Sequence, residues 1–143
     1  MNVAELIEDH EERRLVPYLD SLGIITWGVG RNVQDVPFSS DEMPLVIQLI
    51  DLMFANDLRR ARHDLVDNFP WFLALDEVRQ AACADLRFNL GPTRFRGFVK
   101  FLAAMHRGDY ERAAHELVDS KWFTQVGRRG PRIVKMIELG VWP

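Results

Sequence analysis

Three side chains near the start of the chain have types and spacings that suit acid–base chemistry. Glu11 precedes Asp20 by nine residues, and Thr26 follows in a strand-like stretch marked by Gly28 and Gly30. A carboxylate ending a first helix, a second after it and a hydroxyl in a strand can converge on one wall of a cleft. One carboxyl group then protonates a leaving oxygen while the other acts as base or nucleophile. Cleavage of a glycosidic bond requires this pair of groups.

The elements that must position these groups are a short helix and a hairpin. Asn2 with Glu5 resembles a capping arrangement and predicts an amphipathic helix over about residues 2–12. The β-prone run 15–19 contains Pro17, which suits only an edge strand. Residues 21–23 predict a turn, and residues 24–29 predict a returning strand. We therefore expect Asp20 and Thr26 on one hairpin, near the C-terminal end of the first helix.

The remainder of the chain is predicted to be helical. Polar residues from Ser39 onward mark the start of a long helix over about 44–67, which ends at Asn68. Asp76 and Asp109 are predicted caps, Gly91-Pro92 a stop, and Pro131 the first residue of a last helix. Further helices are expected over 97–106, 110–119 and 121–125. The predicted fold class is α+β, mostly α. Its parts are an N-terminal lobe (13–43), a connecting helix (44–67) and an all-helical C-terminal lobe (70–143) that includes helix 2–12.

Composition places the chain among compact globular proteins. Its 143 residues are 48% hydrophobic and 27% charged, with no repeat, so one compact unit with at most two lobes is expected. The formal charge of −3 argues against a general nucleic-acid binder. Cys83 is the only cysteine, which excludes an intramolecular disulfide and predicts a buried small hydrophobe. The acidic N-terminus lacks an apolar core, so no signal peptide is expected. The apolar run 45–55 is too short to span a membrane.

Several sequence blocks resemble the T4-type phage lysozymes (glycoside hydrolase family 24). The first is Glu11…Asp20…Thr26-Trp27-Gly28-Val29-Gly30, which matches the family's E…D…T-x-G-x-G motif. Similar blocks follow in order to the end of the chain. They are Leu75 to Ala82, Phe88-Asn89-Leu90-Gly91, Gly97-Phe98, Ala113-Ala114, Ser120 to Phe123, Gly127 to Arg132 and Trp142. The resemblance covers nearly the whole chain and is weakest over 32–45, which is shorter than the family's usual second hairpin.

The resemblance implies a role for each residue of the first motif. Glu11 is the expected general acid, and only Glu11, not the adjacent Glu12, keeps the family's spacing to Asp20. Asp20 is expected to act as base or nucleophile, although an Asp in this position also suits a hairpin turn. Thr26 is expected to orient water in an inverting reaction, whereas a lone Thr in a strand is more often simply a β-former.

Substrate-binding residues are also implied. Gly30 and Asn32 are expected along the cleft, although Asn32 equally suits the end of a strand. Phe88 and Asn89 suit a sugar face and an N-acetyl group, with core packing and helix capping as the alternatives. Arg129 matches a family arginine that approaches the acid and predicts a supporting ion pair with Glu11. Arg31 departs from the family, where His is usual, and is expected to alter a local ion pair or the cleft edge.

The resemblance implies a phage or prophage endolysin. Such an enzyme hydrolyses the β-1,4 bond between N-acetylmuramic acid and N-acetylglucosamine in bacterial peptidoglycan, with no metal or other cofactor. A monomer is expected, with no nucleic-acid partner and no stable membrane association. It would accumulate in the host cytoplasm and reach the cell wall in the periplasm once a membrane-opening factor such as a holin acts.

Three rivals remain open at this point. A non-catalytic lysozyme-like module that binds the wall or forms part of a virion is one, and Arg31 and the short 32–45 region favour it slightly. A helical nucleic-acid binder would use the C-terminal basic residues Lys121, Arg128, Arg129, Arg132 and Lys135. A transglycosylase would use the same groups but leave an anhydro sugar product.

Overall fold

The computed structural model describes residues 4, 5, 8 and 13–143. The chain divides into two compact units, residues 1–51 and 52–143, and the boundary lies inside a helix between Asp51 and Leu52. Ala4, Glu5 and Glu8 are helical, but the rest of the predicted helix 2–12, including Glu11, lies outside the described residues. The grouping of residues 2–12 with the larger lobe therefore remains a prediction.

The first unit contains a three-stranded antiparallel sheet. Its strands are β1 (Arg13–Leu19), β2 (Ile25–Val29) and β3 (Arg31–Asn32), in the order β1-β2-β3. The hairpin is confirmed, and β3 is an additional strand that the sequence did not predict. The register shifts between Arg14 and Tyr18 of β1, so that Pro17 lies in an irregular stretch of an edge strand. Proline fits there because it has no N–H to donate to a neighbour.

The long helix α1 runs over Met43–Asn68 and crosses the boundary between the units. Just before it, the carboxylate of Glu42 accepts a hydrogen bond from the Ser39 N–H at 2.8 Å, a capping contact among the polar residues that mark the predicted start. At the other end, the Asn68 side-chain amide donates to the Asp64 carbonyl oxygen at 2.9 Å. These contacts explain why the helix begins and ends where the polar residues predicted.

The second unit contains a short 3₁₀ turn and five further helices. The turn is Phe72–Ala74, and the helices are α2 (Glu77–Arg96), α3 (Val99–Arg107), α4 (Tyr110–Val118), α5 (Lys121–Gln125) and α6 (Arg129–Leu139). Their apolar faces enclose one core whose largest fully buried side chains include Phe72, Phe95, Phe101, Leu86 and Leu117. The predicted fold class, α+β and mostly α, is confirmed.

Two predicted helix boundaries differ from those observed. Gly91 has φ 77° and ψ 167°, but the helix resumes at Pro92 instead of stopping, so Gly91 is a break within α2. The last helix begins at Arg129, two residues before Pro131. Proline is accepted in this first turn because the first four N–H groups of a helix have no intrahelical acceptor. The caps are confirmed: Asp76 and Asp109 accept from backbone N–H groups three residues on.

Candidate functional site

Asp20 lies at the end of the hairpin, in the turn between β1 and β2. Its Oδ1 accepts hydrogen bonds from the N–H groups of Leu22 and Ile24, at 2.8 and 2.9 Å. The Asp20 N–H in turn donates to the Ile24 carbonyl oxygen at 3.0 Å. Within the described part of the chain no donor reaches Oδ2. The turn therefore holds the carboxylate by one oxygen, which confirms the turn interpretation of Asp20. A catalytic role for the other oxygen remains a prediction.

Thr26 is the next residue of the predicted set and lies on β2, opposite Tyr18 and Asn32. Its side chain is buried, with 4% of the residue exposed, and its hydroxyl donates to the Ile24 carbonyl oxygen at 3.1 Å. Because the proton is committed, the lone pairs of Oγ1 remain available to accept from a water molecule. This arrangement suits the orientation of a single water better than proton transfer.

Gly28 and Gly30 have the positive φ values of 67° and 66°. A Cβ added to Gly28 would meet no atom within 4 Å. Glycine is therefore needed at position 28 for its positive φ near the end of the strand and not to avoid a steric clash. Binding of a sugar along Gly30 remains a prediction.

Asn32 ends β3 and organises the turn after it. Its Oδ1 accepts from the Gln34 N–H at 2.9 Å, and its Nδ2 donates to the Asp35 carboxylate at 2.7 Å. Both polar ends of the side chain are thus used in the turn, which favours the strand-terminating interpretation. A contact of Asn32 with substrate remains a prediction.

Arg31, the departure from the family pattern, forms an ion pair with Glu42 at 2.8 Å. The pKa of Glu42 is lowered, first by the hydrogen bond from the Ser39 backbone and then by Arg31. Arg31 also lines an apolar notch with Trp27 and Phe38, whose rings meet edge to face at 6.3 Å. Arg31 thus takes part in a local ion pair inside the first unit, and its effect on the cleft edge remains a prediction.

Phe88 and Asn89 lie in the second unit, in the last turn of α2 before the break at Gly91. Phe88 is 39% exposed and contacts Phe54 edge to face at 5.8 Å. Asn89 is exposed, and its Oδ1 accepts a hydrogen bond from the indole of the buried Trp122 at 2.8 Å. Phe88 is therefore not a core residue, and Asn89 is held by Trp122 in one orientation.

Arg129 forms an ion pair with Asp85, its Nε lying 2.9 Å from the carboxylate. Both residues line a cavity of about 640 Å³ together with Asn89 and Arg132. The sequence did not predict Asp85 as a partner. A signal existed, because Asp85 lies four residues before Asn89 and so shares its face of α2. The predicted pairing of Arg129 with Glu11 remains a prediction, since Glu11 is outside the described residues.

Cys83 is fully buried, and burial raises the pKa of its thiol to about 12. The prediction that Cys83 is a buried small hydrophobe is confirmed. Across residues 13–143 and the few described before them, no helix is both long and apolar enough to cross a membrane.

Comparison with known proteins identifies the family. The phage lysozyme family model matches residues 8–136, which include Glu11, Asp20 and Thr26. Because this match spans most of the chain, the protein belongs to the phage lysozyme family. The mostly helical fold with its small antiparallel sheet agrees with this family.

Two relatives give the comparison more detail. The chain is 25% identical to the pre-baseplate central spike protein Gp5 of Enterobacteria phage T4 over 161 aligned positions, covering 98% of this chain. It is 33% identical to the probable T4-type lysozyme 2 of Dictyostelium discoideum over 66 positions, covering 46% of this chain. The aligned regions span only 28% and 39% of these relatives.

Proposed function

We propose that the protein hydrolyses the β-1,4 bond between N-acetylmuramic acid and N-acetylglucosamine in bacterial peptidoglycan. The observation that carries this proposal is the family match over residues 8–136, which includes the full Glu11, Asp20 and Thr26 motif. The hairpin supports it, because Asp20 and Thr26 are both fixed by hydrogen bonds to Ile24.

In the proposed reaction Glu11 is the general acid and protonates the glycosidic oxygen as the bond breaks. Asp20 uses its Oδ2 to accept a proton from an attacking water, and Thr26 accepts a hydrogen bond from the same water. Attack from the face opposite the leaving group inverts the anomeric configuration. Hydrolysis needs water only, and both carboxyl groups regain their starting protonation after product release.

Substrate binding is proposed for Gly30 and Asn32 in the first unit and for Phe88 and Asn89 in the second. Half-exposed Phe88 offers an aromatic face to a sugar ring, and Asn89 offers an amide whose orientation is fixed by Trp122. For Arg129 we propose a supporting ion pair with Glu11 in addition to its pair with Asp85. A guanidinium shared between two carboxylates would lower the pKa of the acid less than one that is unpaired.

The biological role that we propose is that of a phage or prophage endolysin. The protein would act as a monomer that accumulates in the host cytoplasm and lyses the cell after a holin or similar factor opens the membrane. A second candidate is a lysozyme module of a virion. The alignment of 98% of this chain with a protein named as a phage spike component favours it. Detection of the protein in purified virions, against its presence only in lysates, separates the two roles.

The test of the reaction is release of soluble fragments from purified peptidoglycan by the natural protein, Glu11→Gln and Glu12→Gln. The two variants each replace one carboxyl group by an amide of the same shape, at adjacent positions. Activity is expected for the natural protein and for Glu12→Gln, with none for Glu11→Gln. An active Glu11→Gln would remove Glu11 from the role of acid. Binding to peptidoglycan without release by any of the three would favour the non-catalytic module.

A further inference from the structure

Asp64 is the centre of a side-chain network in the second unit. It lies near the end of α1, and its Oδ2 accepts a hydrogen bond from Nε of Arg87 at 2.5 Å. Its Oδ1 accepts from the guanidinium of Arg96 and from the amide of Asn68, the latter at 3.0 Å. The side chains of Asp64 and Arg87 are each only 14% exposed. One half-buried carboxylate therefore receives three donors from two helices.

The two arginines stand on opposite sides of the break in α2. Arg87 lies four residues before Gly91, and Arg96 lies five residues after it. A non-helical residue interrupts the backbone hydrogen bonds that would otherwise fix one helical segment relative to the next. The Asp64 carboxylate of α1 thus binds the segments of α2 on both sides of the break at Gly91.

The residues directly after Arg87 are Phe88 and Asn89. Phe88 packs on Phe54 of α1, and Asn89 accepts the hydrogen bond from Trp122. The turn that carries both is therefore held between Arg87, which is bound by Asp64, and Gly91, where the helix is broken. Rotation or displacement of this turn would move the ring of Phe88 and the amide of Asn89 together.

Asp64 keeps its charge at neutral pH. Burial raises the pKa of the carboxyl, but the hydrogen bonds from Arg87 and Arg96 outweigh it and leave the pKa below its ordinary value. Charge-assisted hydrogen bonds of this kind are stronger and more directional than neutral ones. They are suited to fixing a geometry as well as to adding stability.

We propose that Asp64 is a positioning residue, which through Arg87 and Arg96 fixes the turn of Phe88 and Asn89 for binding of the glycan chain. The kinetic part of this inference rests on the proposed function, whereas the positioning of Asn89 does not. A merely structural ion pair would lower stability without moving Asn89. The hydrogen bond from Trp122 to Asn89 distinguishes the two cases, because it changes only if Asn89 moves.

The reporter is the indole N–H resonance of Trp122, which depends on the hydrogen bond to Asn89. It is measured by ¹H–¹⁵N correlation in the natural protein, Asp64→Asn and Asp64→Glu. Asp76→Ala is the control, because it lowers stability by removing the N-cap of α2, at the end of that helix distant from Asn89. Arg96→Gln is a milder variant that removes one donor and leaves Asp64 paired with Arg87.

The expected result is a Trp122 indole resonance displaced in Asp64→Asn by more than in Asp76→Ala. A smaller displacement is expected in Arg96→Gln, and a return toward the natural position in Asp64→Glu. A resonance at its natural position in a folded Asp64→Asn protein would overturn the proposal. Equal displacement in Asp76→Ala would do the same. If Asp64→Asn does not fold, the displacement of the Trp122 resonance in Arg96→Gln is compared with that in Asp76→Ala. A larger displacement in Arg96→Gln supports the proposal, and an equal or smaller one overturns it.

A kinetic arm tests the connection to glycan binding. On soluble glycan fragments KM should rise between about twofold and thirtyfold in Asp64→Asn, with a smaller change in kcat. A loss confined to kcat would contradict the proposal that the turn is positioned for binding. Absence of turnover in the natural protein would instead refute the proposed function, and the Trp122 resonance would still decide whether Asp64 positions Asn89.

Discussion

Asp20 and Thr26 are joined through a single residue, Ile24. The Ile24 carbonyl oxygen accepts hydrogen bonds from the Asp20 N–H at 3.0 Å and from the Thr26 hydroxyl at 3.1 Å, while the Ile24 N–H donates to Asp20 Oδ1. The Asp20 carboxylate and the Thr26 hydroxyl are therefore both hydrogen-bonded to the backbone of Ile24. Their separation depends on the turn alone, which gives the two groups a fixed geometry before any substrate is bound.

Asp20 is expected to serve both the turn and the proposed reaction. Asp20→Asn keeps an oxygen for the Leu22 and Ile24 N–H groups but removes the charge, so activity should fall by about 10²-fold to 10⁴-fold with little change in melting temperature. Asp20→Ala should also lose the turn contacts and about 1 kcal/mol of stability. Turnover rates and thermal unfolding of both variants check this. Equal activity of Asp20→Asn and the natural protein would show that the residue serves only the turn.

Two glycines are predicted to differ in what they tolerate. Gly91 has φ 77° and ψ 167°, a region open almost only to glycine, whereas Gly108 has φ 72° and ψ 18°, which asparagine also adopts. Gly91→Asn should therefore cost about 1–3 kcal/mol, and Gly108→Asn less than about 1 kcal/mol. Neither glycine has an atom within 4 Å of an added Cβ, so sterics do not confound the comparison. Urea unfolding decides it, and equal costs would count against the break at Gly91.

Stability should depend on pH through Asp64. Its folded pKa lies below the ordinary value of 3.8 because the hydrogen bonds from Arg87 and Arg96 outweigh the effect of burial. The contribution is therefore complete above 3.8 and is lost as the pH falls through the lower, folded pKa. Asp64→Asn should cost about 2 kcal/mol near neutral pH and less below the ordinary pKa.

The measurement is urea unfolding of the natural protein and Asp64→Asn at neutral pH and at a pH below the ordinary pKa of the carboxyl. Asp57→Asn is the matched control, because it removes the same group from the same helix in an exposed pair with Arg60. The control should change stability by less than about 1 kcal/mol at either pH. A cost of Asp64→Asn that stays constant with pH would show that its charge does not stabilise the fold.

The single thiol is predicted to be inert in the folded protein. Burial raises the pKa of Cys83 to about 12, and no part of the side chain is exposed. A thiol-specific disulfide reagent should therefore modify Cys83 only in denaturant, at a rate set by unfolding. Cys83→Ala should leave glycan turnover unchanged. Rapid modification of the native protein would indicate that the core around α2 opens easily.

Local chemistry allowed much of this fold to be predicted from the sequence. The turn at residues 21–23, the edge position of Pro17 and the caps Asp76 and Asp109 each depend on side chains within a few residues. For the same reason the turn contacts of Asp20 could be anticipated. Helical spacing predicted α1, yet Ala61 and Leu65 are its only buried residues. Spacing identifies a helix but not the depth to which its face is packed.

The features that the sequence did not predict depend on distant contacts or on very short elements. Arg129 meets Asp85 across 44 residues, and Asp64 meets Arg87 and Arg96 across 23 and 32. Arginine and aspartate are common on helix surfaces, so no pattern distinguishes these pairs from solvated ones. Strand β3 has only two residues, too few for an alternation. The glycine at position 91 signalled an end to the helix, but not that the helix would resume.

The central claim is tested most directly by the sugar ends that the protein creates in purified Gram-negative peptidoglycan. Digests by the natural protein and by Glu11→Gln are compared by mass spectrometry of the released fragments. We predict reducing N-acetylmuramic acid ends in the natural digest and their absence with Glu11→Gln. Anhydro ends would show a transglycosylase instead of a hydrolase, and no new ends with wall binding intact would contradict a catalytic function.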